Sequence, residues 1–169
     1  MKKLLFVFPV LLFGLFVRAQ DRTGSGLSGE QELLFEHAVA CIKHFEGWHT
    51  SRNYPYIGWG HRLLPGERLD SHLTKAQGDS LLRMDLRKRC VTFRRFGKDA
   101  LLLAVLSYNV GEYRLLGSGK IPKSNLIKKL ERGDRDIYKE YISYRKYKGK
   151  VVRSIERRRK CEFALLYIS

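Results

Sequence analysis

From Ala100 to Tyr108 the chain is apolar on nearly every side of a helical projection, with Ser107 its one polar residue. A helix of that kind has no face to offer water and belongs at the centre of a domain. Asp99 is placed to cap it, and Asn109 with Gly111 to close it. Whatever else the chain forms has to wrap around this rod.

Segments suited to wrapping lie on both sides. Leu34, Ala38, Cys41, Ile42 and Phe45 repeat at three- and four-residue spacing, marking an amphipathic helix that Gly47 can stop in a left-handed cap. Thr74 opens a Thr-Lys-Ala-Gln capping box, and Leu82, Leu86, Cys90 and Phe93 continue at helical spacing to Gly97. Ser124 can cap a short helix through Leu130, which Gly133 ends. Ile137, Tyr138, Tyr141 and Ile142 mark another helix, and a final one covers Val152 to Tyr167. Only between Trp48 and Pro65 does the pattern change. There Tyr54-Pro55-Tyr56-Ile57-Gly58-Trp59-Gly60-His61 reads as short strands with tight turns. The expected fold is α+β and mainly α, with a small β-hairpin region beside a helical lobe.

The beginning of the chain has a separate purpose. Lys2 and Lys3 precede an apolar run from Leu4 to Val17, and small Ala19 follows at a cleavage position, so residues 1–19 are expected to be a signal peptide. Pro9 and Gly14 interrupt the run, which is short for a spanning helix. Residues 20–32, rich in Gly and Ser, are expected to form a flexible leader, and residues 33–169 one catalytic domain. The expected location is periplasmic or secreted, and the expected state a monomer.

The formal charge is +16, and loss of Lys2, Lys3 and Arg18 with the signal leaves +13. A polyanionic partner is implied. Nucleic acid is disfavoured by the export signal and the lack of a binding motif, leaving anionic wall polymer and lipid surfaces. Cys41, Cys90 and Cys161 are an odd set, so at most one disulfide forms within the chain. Their apolar settings suit buried structural thiols. Their spacing matches no metal site, and neither a metal nor a cofactor is assigned.

Glu46 ends the first amphipathic helix, between Phe45 and Gly47 and close to Trp48. A carboxyl partly buried among apolar side chains resists ionisation and can act as a general acid. Three blocks then follow in order: Phe45-Glu46-Gly47, Tyr56-Ile57-Gly58-Trp59-Gly60-His61 and Ser107-Tyr108-Asn109-Val110-Gly111. Two more are Lys123 to Leu130 with Gly133-Asp134, and Arg158-Arg159-Lys160-Cys161-Glu162. This series resembles phage-type lysozymes across residues 33–167. With its export signal and shortened loop, the chain is most similar to exported lysozyme-like proteins of conjugative elements in Bacteroides relatives.

The resemblance implies cleavage of the N-acetylmuramic acid to N-acetylglucosamine bond in peptidoglycan, with Glu46 as acid and a late arginine, Arg158 or Arg159, reaching it. Local wall opening for lysis or for a cell-envelope transfer apparatus would fit. Two family features are missing. No acid occurs between Glu46 and Glu67, and the position of the family's threonine holds Tyr56. His49, able to accept a proton from water, and Tyr56, able to orient it, are the candidate second groups. A lytic transglycosylase reaction using Glu46 alone, or an inactive peptidoglycan-binding module, are the alternatives. His61 is expected to anchor the strand region through an acid on a later segment. Trp48, Tyr54, Trp59 and Asn109 are expected to contact substrate, although any one of the aromatics Trp48, Tyr54, Tyr56 and Trp59 could equally belong to a small hydrophobic cluster that holds a short hairpin together.

Overall fold

The computed structural model describes residues 28–69 and 72–169. The expected signal peptide and most of the leader lie outside them. Helix α1 (Gly29–Glu46) opens on a capping box. Ser28 Oγ accepts from the Gln31 amide, and Gln31 Oε1 accepts from the Ser28 amide at 3.0 Å. Residues 29–32, expected in the leader, therefore form the first turn of α1. Glu30 and Glu32 favour that placement by facing the positive end of the helix dipole.

α1 ends at Gly47, with φ 68° and ψ −174°. This is an extended positive-φ conformation that side chains with a Cβ avoid, in place of the expected left-handed cap. It sends the chain sharply away from the helix into β1 (Tyr56–Ile57) and β2 (His61–Arg62). These pair antiparallel in the register Tyr56 with Arg62 and Ile57 with His61. An isolated bridge between His49 and Gly58 ties the incoming chain to them.

α2 (Lys75–Phe93) carries the expected Thr74–Gln77 capping box, then tightens into a 3₁₀ segment, Arg94–Asp99. α3 (Ala100–Val110) is the central rod: every residue from Leu102 to Ser107 is buried. Full burial of Leu102, Leu103 and Leu106 contributes about 2 kcal/mol each. Ser107 is accommodated because its hydroxyl donates to the Ala104 carbonyl at 2.8 Å. Asp99 does not cap α3 with its side chain. Arg135 takes the carboxylate in a two-pronged ion pair at 2.8 and 2.9 Å, a stronger interaction than a cap.

Beyond α3 come α4 (Tyr113–Leu116), α5 (Asn125–Glu131), α6 (Tyr138–Ile142) and α7 (Arg153–Leu166). α2, α1 and α7 pack on α3, and α7 also lies against α1. A second hairpin, β3 (Lys146–Tyr147) with β4 (Lys150–Val151), turns through Lys148 and Gly149, both at positive φ. This turn has the two positive-φ centres of a tight hairpin connection, but a lysine at its first centre conceals it in the sequence. The architecture is the mainly helical α+β arrangement expected, with the first hairpin beside the helical lobe.

Candidate active site

Three helix positions and one turn converge on Glu46. The glutamate sits at the end of α1, with its side chain 16 % exposed. Arg158, buried on α7, donates from Nη1 to Glu46 Oε1 at 2.7 Å. Asn109, at the end of α3, donates from Nδ2 to the same oxygen at 3.3 Å. Among the described residues no hydrogen bond reaches Oε2, and that oxygen is not sealed from solvent.

The fourth wall is Gly60, in the turn between β1 and β2. A Cβ there would lie 3.5 Å from Glu46 Oε2, at a backbone φ of 95° that disfavours any side chain. The turn is held by Tyr108, whose hydroxyl donates to the Trp59 carbonyl at 3.1 Å. Burial pushes the Tyr108 phenol well above its ordinary range, so it remains a donor.

Behind the site runs a buried ionic network. Glu162, fully buried on α7, accepts from Arg158 Nε at 2.7 Å, from Arg159 Nη1 at 2.6 Å and from the Tyr141 hydroxyl at 2.9 Å. Arg159 also donates to Asn109 Oδ1 at 2.6 Å, so it orients the second partner of Glu46. Burial works against the Arg158 charge, but Glu46 and Glu162 outweigh it and hold the guanidinium firmly protonated. Sequence reasoning named Asn109 and left Arg158 or Arg159 as the arginine reaching Glu46; it gave no role to Glu162, Tyr141 or Gly60. The spacing of Arg158 and Arg159 four and three residues before Glu162 was the available signal, since those positions share one helix face.

His61 lies apart from Glu46's hydrogen-bond set and acts as a clasp. Its Nδ1 is 2.6 Å from Asp85 Oδ2 on α2, and its Nε2 is 3.1 Å from Glu67 Oε2. The Asp85 hydrogen bond, opposed by burial, raises the imidazole's affinity for its proton. The Leu64 amide, with His61, lowers the Glu67 carboxyl below its ordinary value.

The four aromatics divide into two pairs. Trp48 and Trp59 pack edge to face with centroids 5.0 Å apart, and Lys75 Nζ stands 3.8 Å over the Trp48 ring. The Trp48 ring lies so close to α2 that a Cβ on Gly78 would approach it to 2.6 Å. The half-buried Trp48 ring thus helps to seat the hairpin on α2, and Trp59 joins it there. Tyr54 and Tyr56 are exposed at 75 % and 43 %. His49 donates its backbone N–H to Gly58, its ring lies 6.0 Å from that of Tyr56, and its Nδ1 is buried without a hydrogen-bond partner.

An apolar groove of about 720 Å³ lies elsewhere, between Leu34, Val91, Leu101 and Ile168. No carboxyl or imidazole lines it, so it offers nothing for acid catalysis. Among the described residues, no cluster of three or more His, Cys, Asp or Glu side chains could hold a metal ion.

An acid at a helix end, a glycine turn packed on it and a closing arginine within one helical domain define a lysozyme-like protein. The phage lysozyme family model matches residues 43–162, and the chain belongs to that family. The fold is similar to that of the muramidase domain of SpmX from Asticaccaulis excentricus. The two are 21% identical, with a TM-score of 0.61, over 78% of this chain and 95% of that one. No curated protein matches the sequence.

Proposed function

We propose that the protein is a peptidoglycan glycosidase cleaving the N-acetylmuramic acid to N-acetylglucosamine bond, with Glu46 as general acid. The observation that carries this reading is the unequal treatment of the two Glu46 oxygens. Oε1 is anchored by Arg158 and Asn109, whereas Oε2 faces the Gly60 turn without a protein partner. A proton on Oε2 is aimed at the leaving glycosidic oxygen of a strand lying along that turn, while the anchored oxygen fixes the carboxyl plane. A sugar over the site removes remaining water, and desolvation favours the neutral acid that must donate. Tyr54 and Tyr56 offer exposed rings on which sugars stack.

A lytic transglycosylase reaction has support of its own. Glu67 and Asp85 are both engaged by His61 of β2. Neither is free to activate water. In this reaction Glu46 protonates the leaving oxygen, the muramic acid's own primary hydroxyl attacks the anomeric carbon, and the proton of that hydroxyl returns to Glu46. The product is an anhydro sugar in place of a reducing end. In the hydrolytic version, His49 accepts the proton of the attacking water and Tyr56 orients it. The protein acts as a monomer outside the inner membrane after signal cleavage, with a wall-spanning transfer apparatus as the class of partner it would serve.

Clearing of purified sacculi tests the reading. Glu46→Gln is expected to lower the rate at least about 100-fold while binding and folding persist. Unchanged clearing would refute Glu46 as the acid, and absence of clearing by the native protein would favour a binding module. Product mass separates hydrolysis from anhydro-sugar formation, since hydrolysis adds one water.

A further inference from the structure

The two hairpins are treated oppositely. The first is fastened to helices through Trp48, Trp59 and His61. The second, β3–β4, buries neither face: every residue from Lys146 to Val151 is exposed. Its register pairs Lys146 with Val151 and Tyr147 with Lys150. Cross-strand partners share a face and successive residues alternate, so each face carries one lysine and one apolar side chain. Tyr147 is 62 % and Val151 49 % exposed. Lys148, in the turn, adds a third ammonium 5.6 Å from the centre of the Tyr147 ring. The chain then enters α7, where the exposed Arg153 and Arg157 stand four residues apart on one side of the helix. Among the described residues, none of Lys146, Lys148, Lys150, Arg153 and Arg157 has an ion-pair partner. Glu156, the one acid in this stretch, is held by Arg145 and Lys160.

We propose that the β3–β4 hairpin and the adjoining arginines of α7 form a docking surface for an anionic phospholipid bilayer. Two features select a bilayer over a soluble polyanion. A hydrophilic polyanion would be satisfied by the cations alone, whereas Tyr147 and Val151 gain only where apolar surface can leave water. Between Lys146 and Val151 there is also no side-chain amide or carboxyl with which to read sugar hydroxyls. At a bilayer each of these side chains finds a place. Tyr147 sits at headgroup level with its hydroxyl in water, and Val151 meets the upper acyl chains. The lysines lay their methylene stems along the same region and turn their ammonium groups back to the phosphates. Arg153 and Arg157, which follow the hairpin in the chain, add their charge to the attraction of the anionic headgroup layer.

The inference does not depend on what Glu46 does, and its test does not use activity. Residues 20–169 hold the whole described fold and leave out the apolar run from Leu4 to Val17, which would bind lipid by itself. This protein is sedimented with vesicles of phosphatidylcholine alone and with vesicles containing about 30 % phosphatidylglycerol, at about 0.1 M salt. Binding to the anionic vesicles and none to the neutral ones is expected. Lys146→Gln combined with Lys150→Gln should weaken that binding roughly 20-fold. Tyr147→Ser combined with Val151→Ser should weaken it about 10-fold. Because the hairpin buries neither face, both double variants are expected to melt at the native temperature. Failure of the native protein to bind, or equal binding to neutral vesicles, would overturn the inference. A serine pair that binds as tightly as the native protein would overturn it too, leaving a general polyanion surface in place of a bilayer site. A lysine pair without effect would place the lipid contact elsewhere on the molecule.

Discussion

Glu162 makes three hydrogen bonds to charged or hydroxyl groups and none of its surface reaches water. Two guanidiniums depend on it, and one of these is the anchor of Glu46. Glu162→Gln keeps the shape and removes the charge, leaving Arg158 and Arg159 with less compensation in a dry interior. A loss of about 3–5 kcal/mol in urea unfolding is expected, and a loss below about 1 kcal/mol would show the network to be dispensable. The Glu46 to Arg158 contact was foreseen from the family-like ending Arg158-Arg159-Lys160-Cys161-Glu162. The role of Glu162 was not, because helix spacing says which side chains share a face and leaves open which face is buried. The same ambiguity surrounds Trp48. Its type suits a sugar platform, and only the absence of a side chain at Gly78, thirty residues on, gives its ring a place against α2.

Among the elements, the first hairpin is the least self-sufficient. Its two strands have two residues each, too few to persist alone. The Trp48–Trp59 pair, the Tyr108 hydroxyl and the His61 clasp fasten it to helices. The clasp makes that attachment depend on pH. Asp85 raises the His61 pKa above its ordinary value of 6.5, so the stabilisation is complete below that pH and is lost as pH rises through the raised folded value. The melting-temperature gap between native protein and His61→Gln should therefore be largest near pH 6 and narrow toward alkaline pH, as pH passes through the raised folded value. A gap constant across that range would rule out a charged clasp. The long elements were legible in the sequence because α3 is apolar all round and α2 carries a capping box. α4 and the β3–β4 hairpin were not, since four residues and a lysine-centred turn leave no periodicity to read.

At the scale of the whole molecule, the chain carries a formal net charge of +16, and the buried ions of its domain are largely paired. Lys146, Lys150, Arg153 and Arg157 are exposed around the second hairpin and the start of α7, with no ion-pair partner among the described residues. Binding to anionic sacculi is expected to weaken several-fold between about 0.05 and 0.3 M salt, as screening shortens the reach of these charges. Sedimentation of the protein with sacculi measures this, and salt-independent binding would assign recognition to uncharged contacts. The Glu46 carboxyl and the Arg158 that anchors it are 112 residues apart, on the first and last helices. A growing chain carries its acid on α1 but lacks the arginine that anchors it until α7 has been made. Fragments released by premature termination before α7 would keep Asn109 but lack the arginine that anchors the carboxyl. The Glu46–Arg158 pair is therefore a contact that only a chain synthesised through α7 can make.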